Sequence, residues 1–313
     1  MQSVSVIVAA RDAERTVGAT LAALAGQDFD GEFEVIVVDD GSTDGTAAVA
    51  AEAGSGARVL RAAGVGPARA RNIGAEHARG DALAFTDADC VPTSRWLTEG
   101  LAALGEAELV QGSVRPDPGV SRQPFDRTVW VTDELGLYEC ASLFVRRELF
   151  ERLDGFEQWL DPRLGKPLAE DVWFGWRARR SGATTAFRPT ALVHHAVFRR
   201  RPREYVAERA RRLYFPAIVA RVPELRESFL YRRWFMSCDA ALFDLALAAA
   251  LIAASTGSRR ALVGVAPYMW SLGARAIPWR RHAPEVAAAD LAADGVGFAA
   301  TALGSVRART IVL

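Results

Sequence analysis

Val35-Ile36-Val37-Val38-Asp39-Asp40-Gly41-Ser42 is an unbroken β-branched run that ends at once in two carboxylates and a glycine. A strand covered on both faces, as in a parallel sheet, reads as such a run, and ligands of these sheets bind at the carboxyl ends of the strands. Upstream, Val4 to Ala9 reads the same way, and the helix-like stretch Glu14 to Ala25 between them completes a βαβ beginning. Downstream the alternation continues. It predicts a helix over Thr43 to Ala53, a strand at Arg58 to Arg61, a bend at Gly64 to Pro67, a helix over Ala68 to Ala78 and a strand at Ala82 to Thr86 that ends in Asp87-Ala88-Asp89. The expected fold class is α/β: a Rossmann-like, mostly parallel central sheet flanked by helices.

Two acidic clusters at two strand ends of one doubly wound unit face the same crevice. For Asp39 and Asp40 alone, a turn or helix cap is an equally good account. In Asp87-Ala88-Asp89, strand alternation is expected to set both carboxylates on one side of the small Ala88. Hard cations take oxygen ligands and are commonly held by one or two carboxylates together with substrate phosphates, so this spacing suits a metal carrying a diphosphate.

The stretches Val4 to Asp12, Val35 to Asp44, Ala70-Arg71-Asn72-Ile73-Gly74 and Thr86 to Pro92 together resemble the GT-A fold, family 2 glycosyltransferases, over roughly residues 3 to 198. The resemblance implies a nucleotide-sugar donor bound across residues 1–91 and an acceptor across 92–198. It places Ala9, Arg11, Asp39, Asp40, Arg71 and Asp87 at the nucleotide, with Arg71 near the base and Asp87 reaching the ribose or a metal-bound water. It makes Asp89 the direct ligand of Mn²⁺ or Mg²⁺. Asp12 stands where an Asn is common, and Ser142 stands where the family often has Asn.

In the second half, strands are expected at Leu109 to Ser113 and Ala141 to Val145, and helices at Arg95 to Ala103 and Glu148 to Leu153. A Pro-rich break, Pro116 to Pro124, is read as a loop over the site, and the chain turns extended again from Pro189 to His195. Glu170-Asp171 opens a helix running to Ser181, where both acids suit the positive end of the helix dipole. By resemblance the pair is the family's Glu-Asp motif, with Asp171 the catalytic base and Glu170 at the acceptor. A single displacement at the sugar C1 needs such a base for the acceptor hydroxyl and predicts inversion. The resemblance also makes His195, in preference to His194, the second expected metal ligand, and imidazole favours Mn²⁺ over Mg²⁺. Gly155 and Trp173 are assigned to the acceptor, Trp159 and Trp176 to packing.

Beyond Phe198 the character changes. Residues 199–233 hold eleven Arg against four Glu, a local balance of +7, and the apolar stretches Ala240 to Ala254 and Ala261 to Leu272 follow. Residues 199–313 are read as a mainly helical, basic and apolar extension. Asp244 and the shortness of the first run argue against a spanning helix, leaving three readings: contact with an anionic membrane surface through 199–275, packing on the core, or a homodimer. A peripheral place at the cytoplasmic face suits a lipid-linked or cell-envelope glycan acceptor.

The formal net charge is zero, which gives no reason to expect nucleic acid. Cys90, Cys140 and Cys238 are too few and too far apart for a disulfide framework, so a reducing, cytoplasmic setting is expected. No secretory signal is expected at the N-terminus. A nucleotidyltransferase of related fold would need a Gly-rich basic loop after the first strand, where Ala9 to Glu14 supplies an Arg but no Gly. An inactive nucleotide-binding protein would have no use for Asp89, Asp171 and His195 together. No Gln-x-x-Arg-Trp signature of processive synthases is present.

Overall fold

The computed structural model describes residues 3–53, 56–160 and 168–313; the chain's single lysine, Lys166, lies outside them. The described chain forms two compact units, Met1–Ser121 with Thr128–Phe198, and Arg122–Arg127 with Arg199–Leu313.

The first unit is built on one eight-stranded sheet of order β3-β2-β1-β4-β7-β6-β8-β5. Its strands are β1 (Val4–Ala10), β2 (Phe33–Asp40), β3 (Arg58–Ala62), β4 (Ala82–Asp87), β5 (Cys90–Pro92), β6 (Leu109–Pro116), β7 (Leu143–Arg146) and β8 (Thr185–His195). β1, β2, β3 and β4 are mutually parallel, β7 is antiparallel to β4 and β6, and β5 is antiparallel to β8. The helices are α1 (Val17–Ala25), α2 (Thr46–Glu52), α3 (Pro67–Glu76), α4 (Trp96–Leu104), α5 (Arg147–Arg152) and α6 (Glu170–Arg180). The Val and Ile side chains of β1 and β2 from Val6 and Val35 onward are nearly all fully buried, which is why both strands read as continuous apolar runs. Register places Ala10 opposite Asp39 and Ala9 opposite Asp87, so both acidic clusters end at the same edge.

Several boundaries differ from the sequence reading. α1 and α2 begin at Val17 and Thr46, because the residues before each form turns that bond across the gap: Asp12 Oδ1 accepts from the Thr43 amide at 2.8 Å and Glu14 Oε2 from the Gly45 amide at 3.1 Å. β7 starts at Leu143, since Cys140–Ser142 is a 3₁₀ turn. β4 does not run on through Asp89: the chain turns at Ala88-Asp89, and the three-residue β5 follows. A turn, and not strand alternation, therefore sets the relation of Asp87 to Asp89.

The second unit comprises α7 (Pro202–Glu208), α8 (Phe215–Arg221), α9 (Leu225–Ser228), α10 (Cys238–Thr256), α11 (Ala266–Ala276) and α12 (Ala283–Ala308). α12, at 26 residues, is its axis. Tyr205 and Tyr268 donate to Asp290 and Asp294 of α12 at 2.8 and 3.0 Å, and Arg275 donates to Asp294 at 2.8 Å, so the buried acids of α12 are satisfied.

Candidate active site

The two strand-end clusters do different work. Asp39 forms a turn, its Oδ1 accepting from the Ser42 amide at 3.2 Å. Asp40 is buried, and its two oxygens accept from the amides of Val65 and Gly66 at 2.6 and 2.9 Å. It thereby fixes the bend that feeds α3. Gly41 and Gly64 make this possible, with φ of +69° and +72° and a close approach between them that a Cβ on Gly41 would block at 2.9 Å. Asp12 also adopts a positive φ of 50°, a conformation that Asp and Asn share more readily than other side chains, so the Asp found in place of Asn leaves the turn intact. Ala9 is partly buried within β1, and the exposed Arg11 follows it, with Nη1 within 3.7 Å of where a Cβ on Gly64 would stand.

Arg71 is the hinge of the site. Projecting from α3, it is 7% exposed; its Nη1 donates to Glu170 Oε1 and its Nη2 to Asp87 Oδ1, both at 2.8 Å. Such charge-assisted bonds are short and strong in a low-dielectric setting. One guanidinium thus ties the end of β4 to the first residue of α6, 99 positions away in sequence from Arg71. Arg71 has both terminal nitrogens engaged by carboxylates, and Glu170, expected at the acceptor, is buried as a partner of Arg71.

Asp171 follows, with one oxygen on the Val172 amide at 2.8 Å and a partly open side. Burial pushes its carboxyl well above the ordinary carboxylate range, the charges of Glu170 and Glu139 add to this, and Arg71 opposes it. Glu139, on the irregular stretch before Cys140, has its own carboxyl raised by burial and accepts from Gln111 Nε2 at 3.1 Å. The sequence reading missed Glu139 because no strand or helix period marks it.

Cys90 pairs with His195 in the β5–β8 register, which brings Asp89 beside the imidazole. Asp89 Oδ2 lies 3.6 Å from His195 Nε2, beyond hydrogen-bond length and within the spread of two ligands on one cation with bonds of about 2.1 Å. Ligand atoms of Asp89, Cys90 and His195 all fall within 4.8 Å of one another. His195 Nδ1 is 2.7 Å from the Ala196 carbonyl, which assigns the proton to Nδ1 and leaves the Nε2 lone pair toward Asp89. His194 points to the opposite face of β8, as strand alternation requires. This oxygen, nitrogen and sulfur set fits a divalent cation softer than Mg²⁺. Cys90 was not foreseen as part of it, because its place follows from a turn and a three-residue strand.

The remaining acceptor-side expectations fare differently. Gly155 is buried, has φ of +61°, and a Cβ there would meet Asn72 Oδ1 at 2.7 Å. Asn72 in turn brackets Phe156 through the Phe156 amide and carbonyl at 2.9 and 2.8 Å. Gly155, expected at the acceptor, therefore sits where the chain after α5 is held onto α3 by Asn72. Trp173 sits two positions from Asp171, on the other side of α6, where its Nε1 donates to Glu157 at 2.7 Å and Arg177 and Arg180 lie over its ring.

Over residues 5–156 the sequence matches the family model described as "Glycosyl transferase family 2". Among curated proteins, the glycosyltransferase AglE of Haloferax volcanii is 28% identical over 172 residues, half of this chain. The poly(ribitol-phosphate) β-N-acetylglucosaminyltransferase TarS of Staphylococcus aureus is 33% identical over 111 residues, or 34% of this chain. The chain spans 57% of the length of AglE and 19% of that of TarS. Among solved structures, the mannosyltransferase PcManGT of Pyrobaculum calidifontis, in complex with GDP-Man and Mn²⁺, superposes with a TM-score of 0.63 at 22% identity, over 94% of this chain and 86% of that one. TarS residues 1–349 in complex with UDP-GlcNAc gives 0.52 at 18%, over 98% and 92%. These likenesses establish a GT-A architecture, and residues 5–156, which carry Asp39, Asp40, Arg71, Asp87 and Asp89, match the model of glycosyl transferase family 2.

Proposed function

We propose that the chain transfers a sugar from a nucleotide-diphosphate sugar to an acceptor hydroxyl by direct displacement, with inversion at the anomeric carbon. The observation that carries this is the Arg71 bridge, which fixes the donor-side carboxylate Asp87 against the helix end that bears Asp171. The support from outside the chain is the family match and the nucleotide sugars bound in PcManGT and TarS.

Asp171 accepts the proton of the acceptor hydroxyl as that oxygen attacks the sugar C1, and its raised basicity suits the task. Asp89 and His195 hold a divalent cation, Mn²⁺ before Mg²⁺, which when bound neutralises the leaving diphosphate. Asp87 orients the ribose or a water of the metal site, and Asp39 with Ala9 and Arg11 lines the nucleoside. No enzyme nucleophile is required, since the diphosphate leaves in the step in which the new bond forms.

A uridine nucleotide is the first donor to try and a guanosine nucleotide the second, after the two neighbours. The acceptor proposed is a lipid-linked or cell-envelope glycan met at the cytoplasmic face of a membrane. The test is release of nucleoside diphosphate from a panel of nucleotide sugars with Mn²⁺ or Mg²⁺, with the anomeric configuration of the product read by NMR. Retention of configuration would exclude direct displacement; pyrophosphate released from a nucleoside triphosphate would point to nucleotidyl transfer instead.

A further inference from the structure

The second unit has a buried core, including Ile218, Leu225, Tyr268 and Leu272, but one of its hairpins also exposes many large apolar side chains. α10 is 19 residues long, about 28 Å at 1.5 Å per residue, and only Ala246 and Ala249 of it are buried. Leu245, Leu251 and Ile252 on α10, Leu262 and Val263 in the following turn, and Met269, Trp270 and Ile277 around α11 are all exposed, Val263 at 74% and Trp270 at 82%. Where the chain doubles back, the contact is made by small residues: a Cβ on Gly264 would stand 2.8 Å from that of Ala249.

A helix pair in water buries its large side chains and shows its small and charged ones. In this hairpin Tyr268 and Leu272 pack inward against Ala246, yet Leu, Ile, Val, Met and Trp side chains also cover its outside, an exposed apolar surface suited to lipid contact. The exposure is not confined to one stripe: from Ala250 to Ile252 and again from Ala254 to Arg260 every residue is exposed. A protein groove or a second copy covers one face, whereas hydrocarbon covers all sides. No charged residue occurs from Leu245 to Ser258 or from Ala261 to Ala274; the exposed pair Arg259-Arg260 stands between the two stretches and the exposed pair Arg280-Arg281 after the second. That pattern suits a hydrocarbon layer of about 30 Å with anionic headgroups at its borders.

We infer that the exposed apolar side chains of α10, of Leu262 and Val263 in the turn, and of α11 form an anchor that enters the hydrocarbon of an anionic bilayer, with the Arg pairs at headgroup level. This deepens the membrane location proposed above, replaces surface contact by insertion, and is independent of the transfer chemistry.

The test uses the full chain with Cys238→Ser, leaving two buried cysteines, and an environment-sensitive fluorophore on Val263→Cys or, for comparison, on the exposed Glu106→Cys of the first unit. Vesicles of phosphatidylcholine with about 30% phosphatidylglycerol should blue-shift and brighten the probe at position 263 several-fold and leave the one at 106 unchanged, with partitioning at least about tenfold weaker into phosphatidylcholine alone. Leu251→Glu with Trp270→Glu should lower partitioning more than tenfold while circular dichroism and nucleotide-sugar turnover persist. A probe at 263 that stays in water, or a doubly charged variant that partitions equally well, overturns the inference. So does a stable dimer that dissociates on the same substitutions without any response to vesicles, which would assign the surface to a second copy. An inserted chain inactive on every nucleotide sugar would sink the transfer reading alone.

Discussion

At the scale of single residues, Asp39, Asp40, Asp87 and Asp89 could be located from the sequence because buried strands announce their own ends. Their duties could not. Asp40 looks like a ligand contact in sequence, yet its oxygens serve the Val65 and Gly66 amides, a bond to a bend 25 residues away that no local pattern encodes. Asp171 carries the clearest residue-level prediction. Its folded carboxyl is raised, so it must lose a proton to act as base, and turnover should fall as pH drops through a value above the ordinary carboxylate range near 3.9. Asp171→Asn should abolish turnover and leave donor affinity intact by calorimetry. The linked stability has a definite sign: a raised folded pKa means the folded state holds the proton more tightly, so the ionised group disfavours folding at pH above that value. The Asn variant should then be at least as stable as the parent at neutral pH, and a large loss of stability would refute the assigned burial effect. Because Arg71 opposes the rise, Arg71→Gln should move the acid limb of the kcat profile to higher pH, a shift that Arg71→Lys should partly reverse.

At the scale of elements, the parallel strands were legible because both faces are covered, whereas β5 is too short for a pattern and β8 extends back to Thr185 through a shift in its pairing with β6 near Gly112 and Ser113. α6 shows what composition hides. Gly175 lies inside it although glycine is a poor helix former, and the reason is Tyr138, whose ring occupies the space a Cβ would need, at 2.0 Å. Gly175→Ala should therefore destabilise by about 1–3 kcal/mol through overpacking, overriding a helix-propensity gain of about 1 kcal/mol. Gly18→Ala in α1, where the nearest atom is Val49 at an ordinary 3.4 Å, should be neutral or stabilising. Urea midpoints with unchanged slopes would measure both. Equal behaviour of the two variants would mean that the Tyr138 contact does not decide this helix.

At the scale of the whole molecule, the groups of the site come from β2, β4, β5, β8, α3 and α6, so they are assembled only by the complete first unit. No short stretch of sequence could display them together, and the pairing of Cys90 with His195 is visible only once the last strand is in place. Such a site should couple ligand binding to folding, because a ligand of the native state stabilises by mass action, by about 2.7 kcal/mol at a concentration of 100 times Kd. For a chain of this size that corresponds to several degrees in Tm. Mn²⁺ with a nucleoside diphosphate should raise the Tm of the full chain, and the increment should vanish in Asp89→Ala and in His195→Ala while their Tm without ligand stays near the parent's. Cys90→Ser separates the sulfur's part: if the thiol is a ligand, the increment with a thiophilic cation such as Cd²⁺ should shrink more than that with Mn²⁺, since thiolate favours the softer ion. Increments untouched by Asp89→Ala and His195→Ala would place the cation elsewhere and detach the metal from this pair of residues.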